Sequence, residues 1–133
     1  MKEFMNRFVQ IEREIAGERG PFTFFALFQR NEFPGWWDVL VAAPWIKSQF
    51  DGEVHRYFVD RLKAELTEDE FLQLARIAPI VPDNPYLEDL QEAYPVEHGI
   101  IEVWHREFFN VEVRHAYIIT CQKIGAGVEA VAA

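Results

Sequence analysis

The spacing of apolar side chains divides the chain into segments of helical type and segments of strand type. In residues 2–16, the apolar side chains Phe4, Phe8, Ile11 and Ile15 recur every three or four positions. Charged side chains lie between them, a pattern that predicts an amphipathic helix. Similar spacing and helix-start signals predict three more helices, over residues 46–66, 67–75 and 85–94.

Two neighbouring segments have the composition of buried strands. Residues 22–29 and 36–43 are apolar at most positions, as expected for strands covered on both faces. The dipeptide Pro34-Gly35 between them is typical of a turn, because proline fixes φ and glycine allows positive φ. Since the connection is short, we expect the two strands to pair in antiparallel fashion.

The last two strands are predicted over residues 99–107 and 111–121, where polar and apolar side chains alternate around a hairpin loop. Residues 76–81 fit either an edge strand, where proline is tolerated, or an extended connection, and we favour the strand. This order of elements predicts an α+β fold with a mostly antiparallel sheet of four or five strands covered by helices. We expect one domain over residues 1–124 and a flexible tail over residues 125–133.

The charge of the chain is concentrated in its middle. The formal net charge is −9, and residues 51–97 contribute −8 through twelve acidic and four basic side chains. Such a surface repels phosphate groups, so we do not expect direct binding to nucleic acid. Hydrophobic residues make up 50% of the chain, enough for a core, and the single cysteine, Cys121, excludes an internal disulfide.

The sequence shows no membrane-spanning segment. No window approaches the ~18 uninterrupted apolar residues that a transmembrane helix needs. The first residues carry charges of both signs and lack the apolar run of a signal peptide. We therefore expect a cytoplasmic protein that does not bind membranes.

Acidic and aromatic side chains are the candidates for protein binding. The run Glu68, Asp69 and Glu70 lies in the acidic segment, where it can dock a basic partner or simply keep the protein soluble. Thr67 and Glu70 also form a capping-box signature for a helix. Three of the four tryptophans lie close together in the sequence and can be core residues, lining of a ligand pocket or anchors of an interface: Trp36, Trp37 and Trp45.

Asp38 is a candidate acid or base because it lies within an apolar run. A carboxylate beside Trp37 and Val39 would be partly desolvated, and desolvation raises the pKa of a carboxyl group toward the range useful for proton transfer. The alternative is structural. Asp38 closely follows the turn, where an aspartate commonly accepts hydrogen bonds from turn N–H groups.

A second candidate is a metal site on the last hairpin. If the hairpin loop has three residues, Val103 lies opposite His115 and His105 lies opposite Val113, which makes the two histidines diagonal neighbours on one face. Glu107 would complete three ligands, the number that zinc or a similar divalent metal needs in a catalytic site. The alternative is that these are hydrogen-bonded strand residues, because no metal-binding motif fixes the spacing.

Three functional hypotheses remain. The leading one is a non-catalytic interaction or regulatory module that binds a basic protein or a second copy of itself, because the sequence contains no P-loop, GxGxxG or GxSxG motif. The first alternative is a small metal-assisted or acid/base hydrolase that uses His105, His115 and Glu107 with Asp38. The second alternative is a passive binder of a small ligand in a tryptophan-lined pocket.

Overall fold

The computed structural model describes residues 2–46, 52–80 and 84–123, and it has the predicted α+β fold. The described residues form four helices and five strands in the predicted order. The elements are α1 (Lys2–Arg19), β1 (Phe24–Arg30), β2 (Trp37–Ala42), α2 (Gly52–Glu65), α3 (Glu68–Phe71), β3 (Leu74–Pro79), α4 (Pro85–Ala93), β4 (Ile101–Phe108) and β5 (Val111–Cys121).

The five strands form one mixed sheet in the order β3-β2-β1-β5-β4. The pairs β1–β2, β1–β5 and β4–β5 are antiparallel, which confirms the prediction of a mostly antiparallel sheet. β3 (Leu74–Pro79) confirms the strand interpretation of residues 76–81 within the described part of the chain, which does not include residue 81, but it runs parallel to β2. The long crossover through α2 and α3 makes this possible, because parallel neighbours cannot be joined by a tight turn. β3 and β4 are the two edges of the sheet.

Both faces of the central strands are buried. Phe25 and Leu27 of β1 lie on the face covered by α1 and α2, where Phe8 and Phe58 pack in the same cluster. Phe28 points to the opposite face, which α4 covers in part. This two-sided burial explains why β1 is apolar at consecutive positions rather than at alternate ones.

The first helix is longer than predicted. The sequence predicted its end at residue 16, yet α1 continues to Arg19. Gly17 lies within the helix and is exposed, where glycine is tolerated at a cost of about 1 kcal/mol relative to alanine. Gly20 follows with φ +116°, so it is Gly20 that ends the helix through a conformation that glycine adopts without strain.

The third helix is shorter than the predicted segment 67–75. It spans Glu68–Phe71, and the chain enters β3 at Leu74. The predicted capping box is confirmed: the Glu70 N–H donates to the Thr67 hydroxyl, and the Thr67 N–H donates to the Glu70 carboxylate. The helix that begins at this cap is therefore short, because the residues from Leu74 onward pair with β2 as strand β3.

Two other predicted segments also extend beyond the described part of the chain. The helix predicted over residues 46–66 corresponds to α2, Gly52–Glu65, and residues 47–51 lie outside the described residues. The tail predicted over residues 125–133 also lies outside them. At the other predicted helix, Asn84 caps α4 and Pro85 occupies its first turn, as the sequence indicates.

The last hairpin has a two-residue loop rather than the predicted three-residue loop. Phe109 and Asn110 have φ values of +52° and +64°, as a type I′ turn requires. Trp104 therefore lies opposite His115, and Val103 lies opposite Ala116. The expectation that Val103 faces His115 is wrong, since a shift of one residue reverses the face to which every side chain points.

A β-bulge in β5 reverses the face of the sheet to which the side chains of this strand point. The bulge lies between Val113 and His115. Gln29 pairs with His115, but the next residue, Arg30, pairs with Val113. At the same level of β4, His105 has a φ of +50°. His115 packs against aromatic residues of the α1 face, whereas Val113 belongs to the core of the α4 face. Such bulges re-aim neighbouring side chains, and this one places His115 and Val113 on opposite faces. Arg30 shares the α4 face with Phe28, two residues earlier in β1, through ordinary strand alternation.

Candidate binding surface and arginine pocket

Asp38 lies almost fully buried on β2, with 3% of its side chain exposed. Its Oδ2 atom is 2.6 Å from Nε of Arg30, and the Arg30 Nη2 group donates to Oδ1 at 3.2 Å. On the other side, Nε of Arg76 lies 3.4 Å from the same Oδ2. Both carboxylate oxygens are thus held by arginine, an arrangement that neither predicted role of Asp38 describes.

The arginine partners of Asp38 come from the two strands that flank β2. Arg76 lies directly opposite Asp38 in the parallel pair with β3, and Arg30 lies two residues beyond Phe28, the antiparallel partner of Asp38 in β1. Sequence reasoning missed both arginines because neither is near Asp38 along the chain. The available signal was Arg30 itself, a charged residue at the end of an apolar strand.

A cavity opens beside this ion cluster on the α4 face of the sheet. Its volume is 240 Å³, and its polar end is formed by Arg30, Asp38 and Arg76. The remaining wall comes from apolar side chains of the central strands, of the end of β3 and of the β4–β5 hairpin, including Phe28, Leu40, Ile80, Phe108, Phe109 and Val111. We call this cavity the arginine pocket. Phenylalanine rather than tryptophan supplies its aromatic lining, in contrast to the predicted tryptophan-lined pocket.

The three predicted metal ligands do not come together. Nε2 of His115 lies 2.6 Å from a carboxylate oxygen of Glu102, and the His115 ring stacks on Trp104 with a centroid distance of 3.6 Å. His105 and Glu107 line a separate surface depression. In the described part of the chain, no group of three or more His, Cys, Asp or Glu side chains could hold a metal ion. The predicted ligand set is therefore not assembled, because it depended on the wrong loop length.

A buried carboxylate that the sequence did not single out links α1 to the sheet. Glu12 is fully buried, although its charge suggested the exposed side of the helix. Its Oε1 atom binds Nδ1 of His98, and the Thr120 hydroxyl donates to Oε2 at 2.8 Å. The His98 N–H donates to the Thr120 oxygen at 3.1 Å. Each polar group of this network has a partner, as a buried carboxylate requires.

Three large apolar side chains lie exposed at one end of the sheet. Phe33 and Trp36 belong to the turn between β1 and β2 and are 45% and 50% exposed. Leu72, which precedes β3, is 60% exposed. The Trp37 N–H donates to the Gln73 carbonyl oxygen at 2.9 Å, so the starts of β2 and β3 are adjacent and bring the three side chains to one end. We call Phe33, Trp36 and Leu72 the turn patch.

Of the other two candidate tryptophans, Trp37 lies in the interior and Trp45 is partly buried against the core. Trp37 is buried and packs near Tyr117 on the α1 face. Trp45 stacks on Phe58 with a centroid distance of 5.8 Å, and its Nε1–H donates to the Gly20 carbonyl oxygen at 3.0 Å. Of the three predicted tryptophan candidates, only Trp36 is therefore placed to act as an interface anchor.

The predicted acidic run divides into one structural and two exposed carboxylates. Glu70 binds the guanidinium of Arg7 in α1, and this hydrogen-bonded pair lowers the pKa of the Glu70 carboxyl group. Glu68 and Asp69 are exposed and form no ion pair among the described residues. Glu32, in the β1–β2 turn, is exposed and unpaired within the same residues.

Two further ionisable side chains are held neutral by burial. Burial raises the pKa of the Cys121 thiol to about 12. Burial also raises the pKa of Tyr117, and the neighbouring Glu102 carboxylate adds to this effect. A thiol with so high a pKa contains almost no thiolate near neutral pH, so Cys121 lacks the reactive form of a nucleophile.

No helix among the described residues combines the length and the apolar composition needed to cross a membrane. Comparisons with family models, curated proteins and solved structures found no match to this chain.

Proposed function

We propose that this chain is a non-catalytic interaction module that binds a basic protein through the turn patch. The observation that carries the proposal is the location of three exposed apolar side chains, Phe33, Trp36 and Leu72, at the same end of the sheet. Large exposed apolar groups that lie together are typical of binding surfaces, and aromatic side chains are enriched among the residues that dominate binding energy.

The turn patch is held in place before any partner arrives. The Trp36 N–H donates to the Phe33 carbonyl oxygen at 3.2 Å, which closes the turn that carries both side chains. The guanidinium of Arg30 lies 4.6 Å from the centre of the Phe33 ring, and Asp38 fixes that guanidinium from the other side. Such fixed geometry favours binding because little conformational entropy is lost when the partner docks.

Unpaired carboxylates beside the patch indicate the charge of the partner. Glu32 is the immediate neighbour of Phe33 in the turn, and Glu68 and Asp69 lie in the short helix just before Leu72. These three exposed acids have no cation partner among the described residues. A partner surface that places lysine or arginine around an apolar group would complement both features. The net charge of −9 would also accelerate the approach of such a partner.

The hydrolase hypothesis is not retained. Arg30 and Arg76 both contact the buried carboxylate of Asp38, an environment that favours a structural ion cluster over a proton-transferring acid. The predicted metal ligands His105 and His115 lie in different environments.

Selection from a random peptide display library tests the proposal. The wild-type chain should enrich peptides that combine an aromatic or aliphatic residue with flanking lysine or arginine. A variant with Trp36→Ala and Leu72→Ala should lose these peptides. The matched control replaces another exposed apolar pair, Ile100→Ala and Trp104→Ala, near and on the opposite edge strand, and it should retain them.

Three results would overturn the proposal. One is enrichment of acidic or uncharged peptides, and another is equal capture by the turn-patch variant. The third is self-association: if sedimentation velocity shows a dimer of the wild type that Trp36→Ala dissociates, then the patch is covered by a second copy and not by a basic partner.

A further inference from the structure

The arginine pocket contains more positive than negative charge, in a chain that is strongly acidic overall. Two guanidinium groups, those of Arg30 and Arg76, flank the single carboxylate of Asp38. Among the described residues that line the pocket, no other acid is present. The cluster therefore carries one unbalanced positive charge beside an apolar wall, and a buried or half-buried cation is stabilised by an anion.

The two arginines differ in their exposure and in how they contact Asp38. Arg30 is mostly buried, with 20% of its side chain exposed, and it uses Nε and Nη2 to grip both oxygens of Asp38. Arg76 is 49% exposed and reaches Asp38 only through Nε at 3.4 Å. A guanidinium has five N–H donors, and the remaining donors of Arg76 have no protein acceptor among the described residues. Arg76 is thus oriented by Asp38 but free to bind a second anion.

The shape of the pocket limits the size and polarity of an occupant. Its volume of 240 Å³ exceeds the ~150 Å³ of cavities known to hold benzene, but lies below the usual range for drug-sized ligands. Phe28, Leu40 and Phe108 give it an apolar floor. An occupant that satisfies both ends has one anionic group and an apolar body of about one ring or a short chain.

We propose that the arginine pocket binds a small monocarboxylate with an apolar body, whose carboxylate is held by Arg76 and whose body packs against the phenylalanines. A carboxylate matches the single unbalanced charge of the cluster, and its planar oxygens match the paired N–H groups of a guanidinium. Asp38 is the positioning residue, because it orients both arginines without contacting the ligand. Arg30 of this site also contacts Phe33 of the turn patch, but the proposed carboxylate contact is with Arg76 and does not rest on the proposed function.

Benzoate is a suitable probe, because it has one ring and one carboxylate. Calorimetric titration and thermal melting of the wild-type chain should show saturable benzoate binding and a rise in melting temperature with benzoate concentration. Benzamide, the neutral isostere, should bind at least roughly tenfold more weakly, because it loses the charge-assisted bonds to arginine. Arg76→Ala should weaken benzoate binding by a similar factor.

Three controls make the test decisive. Arg76→Lys should restore binding only in part, because an ammonium cannot supply two parallel donors. Arg13→Ala, at an exposed arginine of α1, should leave binding unchanged. Amide chemical-shift changes on benzoate addition should centre on Leu40 and Arg76 rather than on the turn patch.

Several outcomes would overturn this inference. Absence of saturable binding would refute it, as would equal affinity for benzoate and benzamide or equal benzoate affinity in Arg76→Ala. If phenyl phosphate binds more tightly than benzoate in an Arg76-dependent manner, then the pocket selects a phosphate rather than a carboxylate.

Discussion

The guanidinium of Arg7 in α1 and the carboxylate of Glu70 in α3 form a bidentate ion pair, with Nε–Oε1 and Nη2–Oε2 distances of 2.9 and 2.8 Å. Glu70 also accepts the Thr67 N–H of the capping box. One carboxylate therefore fixes the short helix and attaches it to the first helix. In the sequence, Glu68, Asp69 and Glu70 form one acidic run. In the structure, only Glu70 forms this ion pair with Arg7, whereas Glu68 and Asp69 are exposed.

Two substitutions of Glu70 should destabilise the fold to different extents. Glu70→Gln keeps the capping box, which accepts glutamine, but loses the charged pair with Arg7, and we expect a loss of about 1 kcal/mol in the free energy of unfolding. Glu70→Ala loses both the capping box and the ion pair with Arg7, and it should lower the free energy of unfolding by about 2 kcal/mol. Urea unfolding measures both values. Glu68→Gln, at an exposed position, should change stability by less than ~0.5 kcal/mol. Equal effects at the two positions would contradict this role of Glu70.

The contribution of Glu70 should depend on pH in a defined direction. Because Arg7 lowers the pKa of Glu70 in the folded state, the carboxylate stabilises the fold above the ordinary carboxyl pKa. This contribution is lost as pH falls through the lowered pKa. The stability difference between wild type and Glu70→Gln should thus be constant near neutral pH and shrink on acidification. A difference that grows on acidification would contradict the assignment.

Charge reversal beside the turn patch should weaken partner binding without harming the fold. Glu68→Lys with Asp69→Lys should reduce affinity for a selected basic peptide roughly tenfold at low ionic strength and make binding less sensitive to salt. A matched change on α2, Glu53→Lys with Asp60→Lys, should have a smaller effect because these exposed acids belong to a different helix from Glu68 and Asp69. Fluorescence polarisation at two salt concentrations measures both. Equal losses would indicate a general charge effect.

The buried network of Glu12 should be sensitive to a substitution that keeps shape but removes one hydroxyl. Thr120→Val leaves an oxygen of Glu12 without its donor and the His98 N–H without its acceptor. We expect a loss of roughly 1–3 kcal/mol, because buried polar groups without partners are costly. Thr23→Val, at a less buried threonine, is the control. Unchanged melting of Thr120→Val would show that the network does not stabilise the fold.

Cys121 should be unreactive in the folded protein. Its pKa of about 12 keeps the thiol protonated at pH 8, and its side chain is fully buried. A thiol-specific chromogenic reagent should therefore label almost no Cys121 thiol in the native protein on the minute timescale. In denaturant it should label about one thiol per chain. Rapid labelling of the native protein would contradict the burial of this strand end.

Local signals in the sequence predicted local structure well. Thr67 with Glu70 and Asn84 with Pro85 each encode a helix start within four residues, so neighbouring atoms alone determine it. The strand interpretation of residues 76–81 was also confirmed, but its parallel pairing with β2 was not predicted, because strand order depends on distant segments.

The candidate sites depended on finer details that the sequence does not encode locally. One residue more or less in the hairpin loop decides whether His115 meets His105 or Trp104. Trp36 and Trp37 are adjacent, yet one is half exposed and the other buried, because Trp36 belongs to the turn and Trp37 begins β2, a strand that is buried on both faces. The arginine partners of Asp38 arise from strand register, which only the folded sheet reveals.

The most direct test of the proposed interaction surface is the affinity of one selected basic peptide for the wild type and for Trp36→Ala, measured by isothermal titration calorimetry. If Trp36 is a central anchor, its truncation should weaken binding by roughly 30-fold or more while the melting temperature stays nearly unchanged. Trp104→Ala should bind as the wild type does. Equal affinity of Trp36→Ala and the wild type would contradict the assignment of the turn patch as the binding surface.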